Sequence, residues 1–491
     1  MTTLKSLPLL SATKSAAHRA RAEFAWVGLL QAGIMALMIA IGLLIARHLP
    51  VPDYGRFSYF INMFGGIRLL GAIGLTSQVV YALSQVGAHG KALGSQFYPL
   101  TAIRVVSLGV MSIVLFALSA LGNDIELALA TAAAVLALTC DFMVGALQGM
   151  GLVKRAMTVL GVQPALYAIG AIATVWLRAP VQGLYLAYGL SFIPALLLAG
   201  GWLLRRMGRP DLSAPVSWKA MLGSLRFASG MYGQAILGTT FTSIATLYFG
   251  SIGQFHEAAL ITIPLNLVFM SGLIIQAPLD TIYFPRLSRL LAAGETTQAR
   301  DLFTVFCAWV SSFTVLILAG ALAFPHSALT LLYSERYSES ANVLAALAPV
   351  AVVYTLHTVA MVTVVSHGRW RDALRAPLVA SIVLVVGVVI AAQWRESLLW
   401  VALLHSLAAA VGLALQLPRV GFPLRPALIQ TLRQAAVAGV LFGVARLIAP
   451  DGVAPLWHSV VAAAIASGLY ALWAWRSLAA GQAAKIALGV T

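Results

Sequence analysis

Four charged residues stand inside apolar stretches of this chain, where a charge is costly to keep. Arg68 lies midway along one such stretch, in Phe64-Gly65-Gly66-Ile67-Arg68-Leu69-Leu70-Gly71, and Arg104 lies a few residues into the next. Asp141 falls past the middle of a third, and Asp280 just over one turn before Pro285. An arginine at the centre of a membrane helix costs about 2.5–3.5 kcal/mol on an insertion scale and rarely faces lipid. Arg68 is therefore expected to face protein or a wet cavity, either paired with a carboxylate or using the room its glycines leave. Arg104, nearer a helix end, is long enough to snorkel to headgroups. Asp141 and Asp280 could each bind a coupling cation or proton, or pair with Arg68 or Arg104. His357 and His405 sit in later apolar runs, where imidazoles either titrate near neutrality or serve as hydrogen-bonded packing.

The elements that carry these residues are set by hydropathy. The 491 residues are 60% hydrophobic and 9% charged, with mean hydropathy +0.92, against about 25% charged in an average soluble domain. A helix needs about 20 mostly apolar residues to cross the hydrocarbon. Fourteen such runs are legible, near 25–46, 57–80, 99–121, 127–149, 157–177, 182–204, 227–249, 259–283, 302–324, 341–365, 374–393, 398–417, 429–449 and 455–475. The expected architecture is all-α and polytopic, about fourteen transmembrane helices.

Net charge +16 would suggest nucleic acid in a soluble protein, but the placement of the charges argues for no nucleic-acid partner. Most of the 31 Lys and Arg fall in the N-terminal stretch and beside every second loop, for example Lys154, Arg155, Arg205, Arg206, Arg286, Arg289, Arg369 and Arg371. The opposite side keeps Arg47, Arg56, Arg178, Arg336, Arg395 and Arg446. By the positive-inside rule both termini are cytoplasmic, which requires an even number of spans. Residues 1–24 are expected to be a retained cytoplasmic tail, since they lack a compact apolar core ending at a small-residue cleavage site. Trp176, Trp202, Trp394, Trp400, Trp473 and Trp475 fall near span ends, as interfacial anchors do. Cys140 and Cys307 both sit in apolar runs, which disfavours a disulfide framework and gives no metal site. No nucleotide-binding P-loop, His-Glu-x-x-His pair or Gly-x-Ser-x-Gly turn is present, so neither an enzyme nor a cofactor is expected. Gly145-x-x-x-Gly149 permits close helix packing.

The two halves are similar in pattern. Leu43 to Phe60 can be laid over Thr246 to Ile263 without a gap, and Gly151-Leu152-Val153-Lys154-Arg155-Ala156 over Gly368-Arg369-Trp370-Arg371-Asp372-Ala373. Six spans followed by six, the same side inward, imply a parallel repeat about an axis along the membrane normal, an arrangement that encloses a central substrate cavity. The expected organisation is a tail at 1–24, an N-lobe of spans 1–6 at 25–204, a cytoplasmic linker at 205–226, a C-lobe of spans 7–12 at 227–417, and spans 13–14 with a cytoplasmic tail at 418–491.

Four stretches resemble the bacterial polysaccharide exporters and O-antigen type flippases of the multidrug/oligosaccharidyl-lipid/polysaccharide (MOP) superfamily. They are Ala46-Arg47-His48-Leu49-Pro50-Val51-Pro52-Asp53-Tyr54-Gly55-Arg56-Phe57, then Gly71-Ala72-Ile73-Gly74-Leu75, then Phe284-Pro285-Arg286-Leu287-Ser288-Arg289-Leu290, and Leu331-Leu332-Tyr333-Ser334-Glu335-Arg336-Tyr337. The resemblance implies two six-helix lobes in pseudo-twofold repeat plus two extra C-terminal helices. It also implies alternating access that moves an undecaprenyl-pyrophosphate-linked oligosaccharide across the bacterial inner membrane for surface polysaccharide assembly. The implied partners are this lipid-linked substrate, the bilayer, and the polysaccharide polymerase and glycosyltransferases of the same assembly line. Under this resemblance Arg68 and Arg104 become substrate-binding residues, their guanidinium groups donating to phosphate oxygens, with Asp141 and Asp280 as ion-coupling candidates. The competing expectation, within the same superfamily, is a cation-coupled drug or metabolite antiporter, which would centre its pocket on a carboxylate.

Overall fold

The computed structural model describes residues 30–86, 90–207, 218–394, 397–423 and 425–487. The expected tail at 1–24 lies outside the described residues, as does the middle of the 205–226 linker. Helices account for the described chain in this order: α1 (Leu30–His48), α2 (Val51–Ala72), α3 (Leu75–Val86), α4 (Gly90–Gly122), α5 (Ile125–Gly149), α6 (Val153–Trp176), α7 (Gln182–Leu190), α8 (Phe192–Met207) and α9 (Trp218–Ser251). They continue with α10 (Phe255–Pro278), a π-helical turn (Leu279–Tyr283), α11 (Phe284–Ala292), α12 (Thr296–Ala323), α13 (Pro325–Leu332), α14 (Ala341–Ser366), α15 (Trp370–Ala391), α16 (Ser397–Gln416), α17 (Arg425–Ile448) and α18 (Leu456–Ala487). No strand occurs among the described residues.

Over the described residues each of the fourteen apolar runs is helical, on one helix or on two consecutive ones. Among the described residues eleven helices are long and apolar enough to cross a membrane, or twelve if α2 and α3 form one bent span. The remaining two runs correspond to α9 and to α10. This is the helical architecture of a multi-pass membrane protein, in which every backbone polar group must be satisfied within its own segment.

Three details depart from the hydropathy reading. The run expected at 57–80 is broken, because Ile73 (φ 44°) and Gly74 (φ 68°) both take positive φ and the axis bends by 49°. The linker expected at 205–226 is entered by helix at both ends, since α8 runs through Met207 and α9 starts at Trp218. Charge does not end a helix, and residues 218–226 contain no proline. The third departure is two short helices, α11 and α13, in stretches that hydropathy left as loops.

By contact the chain divides into two compact units, Met1–His48 with Met63–Ala228, and Leu49–Asn62 with Ser229–Thr491. In the first unit α5 is the central helix, packing on α3, α4, α6, α7 and α8. It begins where Asp124 caps it by accepting from the Leu127 N–H (2.8 Å), satisfying one of the donors that every helix start leaves open. Its buried face is built from Ala130, Ala133, Ala134 and Ala137, so neighbouring backbones approach closely. The Gly145–Gly149 pair meets α3, where a Cβ at Gly149 would stand 2.7 Å from the Val80 carbonyl oxygen.

In the second unit α14 is central, against α10, α12, α15 and α16. One end of its core stacks Tyr283 on Phe306 at 4.3 Å, with the Tyr283 hydroxyl bonded to Thr363 Oγ1 at 2.7 Å. Helices α17 and α18 belong to this unit and pack on α12. Apolar contact alone gives little drive for association between helices in lipid, and here hydrogen bonds supply it. Gln434 Nε2 donates to the Ala308 carbonyl (2.9 Å) and to Ser312 Oγ (2.8 Å), and Thr431 Oγ1 is bonded to Ser311 Oγ (2.8 Å). The corner between α17 and α18 is tied down as well. Asp451 accepts from the His326 and Ser327 backbone N–H groups (2.8 and 2.9 Å) and from Ser327 Oγ, capping α13. Asp451→Ala is expected to lower stability by about 1–3 kcal/mol, the cost of leaving buried donors open. Thermal unfolding of the purified protein checks it.

Candidate functional site

Arg68 enters the site from α2, one turn before that helix breaks. Its Nε donates to Asp141 Oδ2 at 2.7 Å and its Nη2 to Asp141 Oδ1 at 2.8 Å. This is the two-pronged guanidinium–carboxylate geometry, stronger than a single neutral hydrogen bond. The pair joins α2 to α5 in the first unit. It is not sealed, since the Arg68 side chain is 41% exposed and that of Asp141 22%. No described residue takes Arg68 Nη1. Gly65, about one turn back, has nothing within 4 Å of where a Cβ would stand, so no side chain from that position covers the arginine.

Aromatic rings border the pair. The Phe64 ring lies 6.0 Å from Arg68 Cζ, at the edge of cation–π range. Phe64 meets Tyr188 edge-on at 4.9 Å, and Tyr188 in turn meets Tyr167 at 4.9 Å and Phe192 at 5.7 Å. The i, i+4 spacing of Phe64 and Arg68 was visible in the sequence. The arrival of Tyr167, Tyr188 and Phe192 from α6, α7 and α8 was not, because nothing in hydropathy distinguishes these rings from other apolar positions.

Arg104 does not snorkel outward. It is 2% exposed, with Nη1 donating to the Gly71 carbonyl (2.6 Å) and Nη2 to the Leu138 carbonyl (2.9 Å). Asp141 is the charged group that acts electrostatically on it. Asp141 thus stands in direct contact with one arginine and in the field of a second. Two guanidinium groups and one carboxylate leave this cluster with one positive charge in excess.

Asp280 lies in the second unit, in the π-helical turn after Pro278, where it is exposed and accepts from Gln276 Nε2 at 2.7 Å. A π-helical turn widens the helix locally and is frequent at functional positions, but this carboxylate's described partner is on its own helix. His357 and His405 are buried in α14 and α16, and His405 Nδ1 bonds to the Val401 carbonyl of its own helix at 2.8 Å. Of the candidates named from sequence, Arg68, Asp141 and Arg104 come together; Asp280, His357 and His405 belong elsewhere. Cys140, next to Asp141, is a buried free thiol, as is Cys307 in α12.

No family model and no curated protein sequence matches the chain. Solved structures do. A lipid II flippase, MurJ, in an inward closed conformation superposes with TM-score 0.68 at 11% identity, over 92% of this chain and 99% of that one. An inward-facing multidrug resistance MATE family transporter of the MOP superfamily gives 0.62 at 16% identity, over 79% and 94%. The Vibrio cholerae MATE transporter VcmN in its bent form gives 0.51 at 16%, over 86% and 99%. A match over 92% of the chain is more than residues 1–417 can supply, so the likeness to the flippase extends beyond residue 417. The fold expected from the four short stretches is found: this chain has the fold of the MurJ flippase and of the MATE transporters.

Proposed function

We propose that this protein is a transporter that moves a lipid-linked oligosaccharide, carried on undecaprenyl pyrophosphate, across the bacterial inner membrane for surface polysaccharide assembly, with both termini in the cytoplasm. The observation that carries this reading is the charge of the cluster. Arg68, Asp141 and Arg104 together hold one excess positive charge within apolar surroundings, which attracts an anion and repels a cationic drug. A pyrophosphate oxygen reaching the exposed part of the guanidinium meets Nη1 of Arg68. It gains the two remaining donors as Asp141 yields them. The pair with Asp141 keeps the arginine compensated while no substrate is bound, and the lipid tail remains in the bilayer. In this reading the protein makes and breaks no covalent bond.

The MATE likeness keeps the antiporter as the reading to beat. A cation-binding site would present Asp141 to its substrate with Arg68 turned away, whereas here Arg68 occupies both carboxylate oxygens. The deciding experiment uses the full-length protein in proteoliposomes. Translocation of an undecaprenyl-pyrophosphate-linked oligosaccharide is followed by enzymatic access to the sugar, and uptake of a cationic dye under imposed ion gradients is measured in parallel. Sugar translocation without dye movement supports the proposal. Dye movement driven by the ion gradient, with no sugar translocation, sinks it.

A further inference from the structure

We infer that Arg104 is a positioning residue, one that sets the register of α2 against α5 and thereby the geometry of the Arg68–Asp141 pair. The inference rests on the reading of that pair as the anion site, and gives a residue expected to touch substrate a different role. Its basis is where the two carbonyls lie. Gly71 is three residues after Arg68, and Leu138 three residues before Asp141, so each carbonyl is about one turn from one member of the pair. The guanidinium of Arg104, coming from α4, therefore ties together the same two helices that the ion pair joins, one turn away.

The break after α2 makes this tie necessary. A helix leaves its last four carbonyls without intrahelical partners, and α2 ends at Ala72, so the Gly71 carbonyl has lost the partner that a continuous helix would provide. In an apolar interior that oxygen is costly unless a donor reaches it. Arg104 Nη1 is the donor, at 2.6 Å. Side chains from both neighbouring helices reach Gly71, since a Cβ there would come within 2.5 Å of Leu138 Cδ1 on α5 and 2.8 Å of Met111 Sδ on α4. At 2% exposure Arg104 is closed to substrate, so it acts on the site through Arg68 and Asp141.

The native thiols provide the test. Cys140, beside Asp141, is 4% exposed and reports opening of the α2–α5 seam; Cys307, 3% exposed in the other unit, is an internal control. N-ethylmaleimide alkylation of each thiol is followed by mass spectrometry in the full-length protein in nanodiscs, together with binding of undecaprenyl pyrophosphate. Arg104→Gln is expected to speed alkylation of Cys140 by about tenfold through local opening, with Cys307 unchanged. Arg104→Lys retains the charge but replaces a planar fork by a point donor. It is expected to weaken undecaprenyl pyrophosphate binding about tenfold in the native background, and by less than about twofold once Arg68→Lys has already loosened the pair, the signature of coupled positions. Unchanged Cys140 labelling in both variants overturns the inference, and so does equal acceleration at both cysteines, which would mean general destabilisation. An undiminished tenfold loss in the Arg68→Lys background also overturns it, by making Arg104 an independent ligand. Selective Cys140 opening in a protein whose unsubstituted form does not bind undecaprenyl pyrophosphate supports the clamp and overturns the anion reading alone.

Discussion

Arg68→Ala and Asp141→Asn are expected to fail in opposite ways in the proteoliposome assay. Removing Arg68 removes the donors that hold the phosphate; truncating one partner of a hydrogen-bonded charge pair costs roughly 2–5 kcal/mol, about 30-fold or more in affinity. Translocation should disappear because binding does. Asp141→Asn instead releases the guanidinium from its competitor and raises the net charge of the cluster by one. Undecaprenyl pyrophosphate should then bind more tightly, yet turn over more slowly, since the carboxylate that reclaims Arg68 on release is gone. Complete removal of the carboxylate is expected to cost stability. Asp141→Ala leaves Arg68 uncompensated, which the insertion scale puts at about 2.5–3.5 kcal/mol, less where water reaches the side chain, and Arg68→Ala/Asp141→Ala should recover most of that loss. Thermal unfolding of the three proteins measures it. Weaker binding of the pyrophosphate by Asp141→Asn would rule out competition between carboxylate and phosphate for Arg68.

Gly55→Ala is expected to have the largest effect of any Gly→Ala change at the described glycines, its Cβ standing closest to a neighbouring atom. The new Cβ would overlap the carbonyl of Phe255 at the start of α10, and because the obstacle is backbone, no side-chain rotation relieves it. The first turns of α2 would be driven off α10, with loss of the Arg56 contact over the Phe255 ring (5.0 Å) and of the Tyr54–Tyr337 edge contact (5.9 Å). Overpacking costs about 1–3 kcal/mol, and more where nothing can move. Gly250→Ala provides the comparison. Its Cβ would meet Cδ2, Cγ and Cβ of buried Tyr59, the near end of that side chain, which rotation does not clear, so a loss in melting temperature of similar size is expected. A near-zero loss for both variants would show that the helices themselves separate easily at this point.

The Gly55 contact also explains what was and was not legible in the sequence. Tyr54-Gly55 was singled out as one of the stretches resembling a known superfamily, and Leu43–Phe60 could be laid over Thr246–Ile263. The part of the first segment from Leu49 onward packs against the other in the second unit, Gly55 on Phe255 and Tyr59 on Gly250. The similarity was readable because glycine and hydropathy leave marks in one dimension. The contact was not, because it depends on the rotation of each helix about its axis.

The same division runs through the site. Arg68 and Asp141 were identified individually because charges in apolar runs are rare and costly. Their pairing spans 73 residues of sequence, and Asp141 could as well have faced Arg104. Arg104 was read as reaching for headgroups because its distance from the helix end permits it. The break at Ile73–Gly74 decides otherwise, by leaving the Gly71 carbonyl open where that guanidinium can reach it.

Sequence by itself determined the helices, their order and the short list of costly charges, because lipid demands about 20 apolar residues per crossing and backbone hydrogen bonds that close within each helix. Both are local requirements. Only the tertiary structure decided which charge meets which, where the second span breaks, and that α17 holds to α12 through Gln434 and Thr431. Lipid-facing and protein-facing positions are alike apolar in such a chain, so the pattern that reveals a membrane helix does not reveal which way it is turned.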